Sequence, residues 1–392
     1  MVEKRQDGTL VVKGRVDANN AQIFEKELLG LCDPDKEVHI DVDGLEYISS
    51  AGLRVFMKLK KQTGKEVVVE NVSSDIYDIL QVTGFTEILT VEKKLRELSV
   101  EGCELVGEGA NGKVYRLDDE TIVKVFTPGV PMKVVQEERD IARAAFISGV
   151  PTAISYDVAR VGDSYGAVYE MLHAQTLSAV IREHPERTEE MGRRMGRLLK
   201  ELHSTPAKTD KLVDMLGVYK DRIREMEKYL TKEETDKLQA VYDSLEARQT
   251  MLHGDFHSKN IMYMNDELIF IDMGDVGYGH PLLDIGGSFL GMVHIGRSNP
   301  AMVPHYIGLD FETVTKVWDN MLLEYFGPDH VEEGKLLAEI YGEAKYTLTP
   351  TFYTAMTEEM AQNLVARVRQ NSFLSKDFDI EPALKRIWGR ES

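Results

Sequence analysis

The chain is expected to fold as a small α/β domain followed by a larger domain that opens on strands and ends in helices, and three observations predict it. Strand and helix signals alternate over the first ninety residues; a glycine-rich turn at Gly107 lies between strand patterns; and from Phe311 onward the pattern is helical. A chain of 392 residues is too long for one ordinary core and fits two or three domains. With 43% hydrophobic and 29% charged residues it can bury those cores in water.

In the first domain "TLVVKGRV" and "EVHIDVDG" read as strands. "ANNAQIFEKELLGL" carries helical spacing at Ile23, Leu28 and Leu31, and "AGLRVFMKLKKQTG" repeats it at Leu53, Phe56 and Leu59 before a capping Gly64. "KEVVVENV" is a third strand and "SSDIYDILQVTG" a capped helix ending at Gly84. In "DGLEYISSAGLRVF" a short polar turn feeds a helix with serines at its start. Ser49 or Ser50 would cap orphan N–H groups there, and a phosphate on the same hydroxyl would be favoured by the helix dipole.

Residues 1–92 resemble a STAS domain, the fold of bacterial anti-sigma factor antagonists. The resemblance rests on Tyr47-Ile48-Ser49-Ser50-Ala51-Gly52-Leu53 and on the "VTGFTEIL" ending from Val82. It implies a phosphorylation switch in this loop and a regulatory protein as partner. A common form of the motif has an aspartate followed by two hydroxyl residues. Here Ser49 replaces the aspartate and Ala51 the second hydroxyl, which leaves Ser50 as the better candidate and Ser49 as the second. Residues 93–102, charged and without Gly/Ser softness, read as a short, partly helical connector.

From Leu105 the sequence runs "LVGEGANGKVYRLDDETIVKVF". Gly107, Gly109 and Gly112 form GxGxxG, which alone is weak, since dinucleotide-binding turns share it. A dinucleotide turn opens a helix, however, whereas Val114-Tyr115 and Ile122-Val123-Lys124-Val125 continue as strands. That arrangement resembles the kinase glycine loop, with Lys124 placed to reach α- and β-phosphates. The helix "VVQEERDIARAAFISGVPT" should supply the acid that holds this lysine: Glu138, or Glu137 as the alternative. In "AVYEMLHAQTL" the stretch from Tyr169 to Leu172, with Glu170 and Leu172 the nucleotide-facing residues, is expected to form the hinge whose backbone meets adenine.

"LHGDFHSKNIMYMNDELIFIDMGD" carries more polar residues than a strand pattern should. His253, Asp255 and Asn260 form HxDxxxxN, and Asp272 follows twelve residues later. In a kinase arrangement Asp255 takes or orients the acceptor hydroxyl's proton, while Asn260 and Asp272 coordinate Mg²⁺ on the nucleotide. Taken singly, Asp255 could be a turn former, Asn260 a cap and His253 a core histidine; their spacing after the glycine loop and Lys124 argues against that. His257 could hint at a metal site, but the oxygen donors around it point to magnesium.

Together with "GHPLLDIGGSF", these stretches resemble the aminoglycoside phosphotransferase and choline kinase superfamily over roughly residues 103–390, a bilobal, protein kinase-like α+β fold. The resemblance implies an N-lobe and hinge at 103–172, a mostly helical C-lobe at 173–392, ATP and Mg²⁺ as cofactors, and a bracing role for Asp284. "HPLLDIGG" begins eight residues after Asp272, which leaves no room for the activation segment of a protein kinase.

The acceptor side is hardly legible. Glu343, Glu358 and Glu359 are acidic candidates, but a charge run on a helix is usually a solvated face, and they are left unassigned. The net charge of −19 disfavours nucleic acid and anionic membranes as partners. Cys32 and Cys103 form no disulfide framework or zinc motif. The charged start lacks a signal-peptide core and no run is long enough for a membrane span, so a cytoplasmic location is expected. Three functions stay open: a kinase for a small-molecule hydroxyl with a regulatory or interaction STAS domain, a regulatory kinase acting on a STAS serine of its own or of a partner, and a nucleotide-sensing binding module.

Overall fold

The computed structural model describes all residues except 34, 110, 353–355, 372–373, 375–378 and 390–392. The chain divides into two compact units, Met1–Ser99 and Val100–Ser392.

The first unit is a five-stranded sheet in the order β1 (Val2–Lys4), β2 (Leu10–Val16), β3 (Val38–Ile48), β4 (Val67–Val72) and β5 (Thr90–Lys93). Only the first pair is antiparallel; the others are parallel because α1 (Ala21–Leu31), α2 (Ser50–Thr63) and α3 (Ser74–Val82) make the crossovers. Phe24, Phe56, Leu59 and Leu80 from the helices share one core with Val12, Ile40 and Val69 from the sheet. The α1 stripe differs from the expected one. Ile23 is exposed and Phe24 is buried, because the helix turns the bulkier neighbour inward, edge-on to Phe56 at 5.9 Å between ring centres. Gly64 closes α2 in the left-handed conformation, and Ser73 caps α3, both as read from the sequence. The connector is not helical: Thr90–Lys93 completes the sheet and β6 (Arg96–Leu98) is extended.

The second unit begins with antiparallel strands β7 (Glu104–Gly109), β8 (Gly112–Arg116) and β9 (Thr121–Phe126), then α4 (Met132–Ile147), β10 (Ser155–Val161) and β11 (Ser164–Glu170), in the spatial order β10-β11-β9-β8-β7. A Cβ at Gly112 would fall on the Val125 carbonyl, so this glycine lets β8 lie close on β9. α4 packs on β10, β11 and the turn Met273–Asp275.

The remainder is helical around two small sheets. β12 (Gln175–Thr176) precedes α5 (Leu177–Glu183) and α6 (Thr188–Leu202); β13 (Val213–Asp214) precedes α7 (Met215–Met226) and α8 (Lys232–Asp243). β14 (Thr250–Leu252), β15 (Ile261–Met264), β16 (Glu267–Phe270) and β17 (Gly277–Gly279) carry the polar loops, and the sheets run β12-β15-β16 and β13-β17-β14. Asn265 and Asp266, both at positive φ, make the two-residue turn between β15 and β16. α9 (Leu282–Phe289) follows and continues through a π-helical turn, Leu290–His294, into α10 (Ile295–Ser298); α11 (Val303–Ile307), α12 (Phe311–Phe326) and α13 (Val331–Thr347) come next. α6 lies close on α12 because Gly192 and Gly196 leave room for the Val317 and Met321 carbonyls, which Cβ atoms would meet at 2.7 and 2.5 Å. Among the described residues no helix is long and apolar enough to cross a membrane.

Phe56 is fully buried against Phe24. Phe56→Ala should therefore lower the stability of the first unit by about 3–5 kcal/mol, read as a fall in its urea midpoint at constant slope.

Candidate functional site

The site is assembled from loops held at strand ends. Lys124 projects from the middle of β9, where hydrophobic neighbours withdraw it from water; its side chain is 16% exposed. Its ammonium donates to Glu138 Oε1 of α4 and to Asp272 Oδ1 beyond β16, both at 2.8 Å. Glu138 is the partner and Glu137 is not: Glu137 is exposed and sits 3.9 Å from Lys133. Gly274 makes the approach possible, since a Cβ there would touch the Glu138 side chain at 2.8 Å. Burial works against the Lys124 charge, but Asp272 and Glu138 outweigh it and hold the lysine above its ordinary pKa. Burial raises Glu138. Asp272 adopts a left-handed backbone (φ 57°), uncommon for a residue with a side chain, and is half exposed.

Asp255 and Asn260 share one turn. Asn260 Nδ2 donates to the Asp255 backbone oxygen at 3.0 Å and to its Oδ2 at 3.1 Å. This orientation leaves Asn260 Oδ1 as the free acceptor. His257 Nδ1 accepts the Lys259 N–H at 3.2 Å, so its Nε2–H faces Asp255 Oδ2 at 3.5 Å. Burial would raise the Asp255 carboxyl, but His257, with Lys345 among the other positive groups, brings it to about 2. His253 is fully buried and held below its ordinary pKa by that burial, and its Nδ1 accepts the Asp255 N–H at 3.3 Å.

The loop is anchored by Asp284, the first-turn acid of α9, which is 2% exposed. Its Oδ2 accepts the His253 N–H at 2.6 Å and its Oδ1 the Gly254 N–H at 2.7 Å. His203 Nε2 lies 3.2 Å from Oδ2, and Tyr325 Oη lies 2.8 Å from His203 Nδ1. Gly254 has φ 88° and would clash with the Asp275 carbonyl if it carried a side chain. Ser288 Oγ–H adds a bond to the Phe256 carbonyl at 2.8 Å.

The other expected residues fall as follows. Gly107, Gly109 and Val114 lie on the β7–β8 hairpin. Tyr169 and Glu170 end β11; the Glu170 and Met171 N–H groups are taken by the Ile154 and Glu120 carbonyls, and among the described residues none takes the Leu172 N–H. In the first unit Ser49 caps α2, accepting the Gly52 N–H at 3.3 Å, whereas Ser50 is exposed. Glu358 and Glu359 are exposed, but Glu343 is not on a solvated face. It is 12% exposed, lies 2.6 Å from His294 Nδ1, and its Oε2 is buried without a partner. The sequence reading missed His203, Tyr325, His294 and Lys345, which come from helices with no local motif to mark them.

Chemically, one buried ammonium is offered to a polyanion from the β9 side, beside two oxygen donors, Asn260 Oδ1 and Asp272, of the hard type that suits Mg²⁺. Among the described residues no three His, Cys, Asp or Glu side chains cluster to hold a metal by themselves. Such a donor pair fits a cation whose other ligands are phosphate oxygens.

Residues 102–306 match the model of the phosphotransferase enzyme family, and residues 1–91 that of the MlaB-type STAS domain. The chain is 34% identical over 91 residues to BtrV of Bordetella bronchiseptica, assigned as an anti-sigma factor antagonist, covering 22% of this chain and 78% of that one. It is 24% identical over 95 residues to the anti-sigma-B factor antagonist of Bacillus subtilis, covering 24% and 87%. Among solved structures, the ADP-bound aminoglycoside phosphotransferase APH(2'')-Ib is 18% identical, with 76% of this chain and 98% of that one covered and a TM-score of 0.47. A choline/ethanolamine kinase family protein from Mesorhizobium loti is 15% identical, with 73% and 92% covered and a TM-score of 0.46.

Asp284 is the acceptor for two backbone N–H groups, so Asp284→Asn sets an amide donor against a donor. It should cost about 3–5 kcal/mol, visible as a lower urea midpoint of the second unit.

Proposed function

Because this chain belongs to the phosphotransferase enzyme family and carries a STAS domain ahead of that enzyme fold, we propose that it transfers the γ-phosphoryl group of ATP to a hydroxyl of a small molecule, with Mg²⁺, while the STAS domain serves regulation or interaction with a regulatory protein. The observation that carries this reading is Lys124 held between Glu138 and Asp272. A lysine so fixed is pre-positioned for phosphate oxygens and loses little freedom when they arrive. The glycine hairpin covers the phosphates, and the Leu172 N–H is offered to adenine. Asn260 Oδ1 and Asp272 would hold Mg²⁺, whose charge supplies neutralisation of the phosphate oxygens.

Asp255, ionised throughout the neutral range, accepts the hydrogen bond of the acceptor hydroxyl and turns its oxygen toward the phosphorus. With a carboxyl near 2 it is a weak base, so its work is mostly orientation, with the proton taken late. A small acceptor is supported by the short link from Asp272 through β17 to α9, which opens at Leu282. That link leaves no room for an activation segment of the protein-kinase type.

Mg·ATP should raise the thermal midpoint by mass action. Asp255→Ala should keep that shift and lose turnover by roughly 10²–10⁴-fold, whereas Asp272→Ala should lose both; ATP consumption screened against aminoglycosides, amino alcohols and sugars supplies the assay. Equal turnover in Asp255→Ala and wild type would sink the assignment.

A second reading is favoured by the exposed Ser50 hydroxyl at the start of α2, left free because Ser49 does the capping. If the enzyme, or another kinase, modifies this loop, intact mass after incubation with Mg·ATP and the modifying kinase rises by one phosphate in wild type and not in Ser50→Ala. A gain that survives Ser50→Ala removes this switch, and no gain with the chain alone removes self-modification.

A further inference from the structure

Asp272 has an ammonium partner in Lys124, and Asp255 has one nearby that the proposed chemistry leaves idle. Lys345 projects from α13 toward α9, and a Cβ at Gly287 would come within 2.8 Å of its Nζ. Gly287 lies on the turn that holds the Asp255 loop, between Asp284, which binds the His253 and Gly254 N–H groups, and Ser288, which binds the Phe256 carbonyl. The missing side chain at Gly287 therefore lets the lysine lie against the turn that holds that loop. The Tyr219 hydroxyl of α7 favours its charge, and among the described residues no carboxylate lies within ion-pair distance. Its charge nevertheless reaches Asp255, Asp275 and Asp284.

We propose that Lys345 is a second catalytic cation, whose ammonium binds the phosphoryl group as it passes from ATP to the acceptor hydroxyl at Asp255. The inference rests on the phosphotransferase reading and extends it. In that transfer the bond from the γ-phosphorus to the bridging oxygen breaks, its electron pair leaves with ADP, the acceptor oxygen bonds to phosphorus, and its proton passes to Asp255 and then to solvent. The electron pair stays with ADP while the phosphoryl group, with its charged oxygens, moves toward the acceptor side, where the Asp255 carboxylate would repel it. A cation not already committed to a carboxylate is what that movement requires. Burial opposes the Lys345 charge, but Tyr219 and the acids outweigh it, so the side chain stays protonated.

The test uses the full chain with ADP, Mg²⁺ and aluminium fluoride, a planar mimic of the phosphoryl group in transit, and reads affinities by calorimetry. Wild type should bind ADP more tightly with the fluoride than without it. Lys345→Met should bind ADP alone as wild type does and lose roughly 10²-fold in the fluoride complex. Lys345→Gln, which keeps a polar head group but no charge, should behave alike, and Lys345→Arg should recover part of the loss. Unchanged fluoride affinity in the neutral variants, or an equal loss for ADP alone, overturns the inference. So does loss of the fold in both neutral variants while Lys345→Arg folds, which would make the lysine structural. A wild-type chain that binds neither Mg·ATP nor Mg·ADP overturns the phosphotransferase reading itself, a result distinct from these.

Discussion

A lysine withdrawn from water must be answered by negative charge, and around Lys124 two carboxylates from different parts of the second unit answer it. β9 contributes the ammonium, α4 contributes Glu138, and the turn after β16 contributes Asp272. The sheet, the helix across it and the loop below are thereby fixed in one register. Gly274 is bare because Glu138 fills its space, and Asp272 takes a backbone conformation that is costly elsewhere. The two acids are unequal. Glu138 is 14% exposed and Asp272 50%, so Asp272 is the one that can exchange its lysine for another cation while Glu138 keeps the lysine in place.

A second electrostatic problem lies a few residues away, where Asp255, Asp275 and Asp284 crowd together. The structure gives each a different answer. Asp284 is neutralised by backbone N–H groups and His203, and stays below its ordinary pKa despite full burial. Asp275 is raised, first by burial and then by its acidic neighbours. Asp255 is held ionised by His257. One acid thus shapes the loop, one is held above its ordinary pKa and one is held below it beside His257, which spreads the like charges of the cluster over different environments.

Much of this was legible in sequence because the chemistry demands residue types at short, fixed spacing. His253, Asp255, Asn260 and Asp272 occupy one strand–loop–hairpin passage, and Lys124 follows its glycine loop within a single sheet. What was hidden came from far away in the chain. His203, Tyr325 and Lys345 sit on helices whose patterns mark only an apolar face, and nothing local says that a polar member points into a neighbour. Glu343 looked solvated, yet it meets His294 at the π-helical turn of α9, a departure from 3.6-residue periodicity that helical spacing does not anticipate. Ile23 and Phe24 show the same limit on a smaller scale: adjacent apolar residues leave the stripe ambiguous, and packing volume chose the aromatic one.

The serine pair in the first unit shows how one position sets the chemistry of the next. An aspartate in place of Ser49 could cap α2 equally well, so the cap itself does not distinguish the two residues. It would also add a negative charge beside Ser50, and a phosphate there would have to overcome it. With Ser49 the cap is neutral. Of the two other acids in this loop, Asp43 is paired with Lys94 at 2.5 Å, and only Glu46 is without an ion pair among the described residues. Since the N-terminus of α2 favours negative charge, an anion on Ser50 meets a helix dipole in its favour and a single unanswered carboxylate against it. The departure of this loop from the aspartate-containing pattern therefore lowers the electrostatic barrier to modification at Ser50 and leaves the capping hydroxyl of Ser49 engaged with the Gly52 N–H.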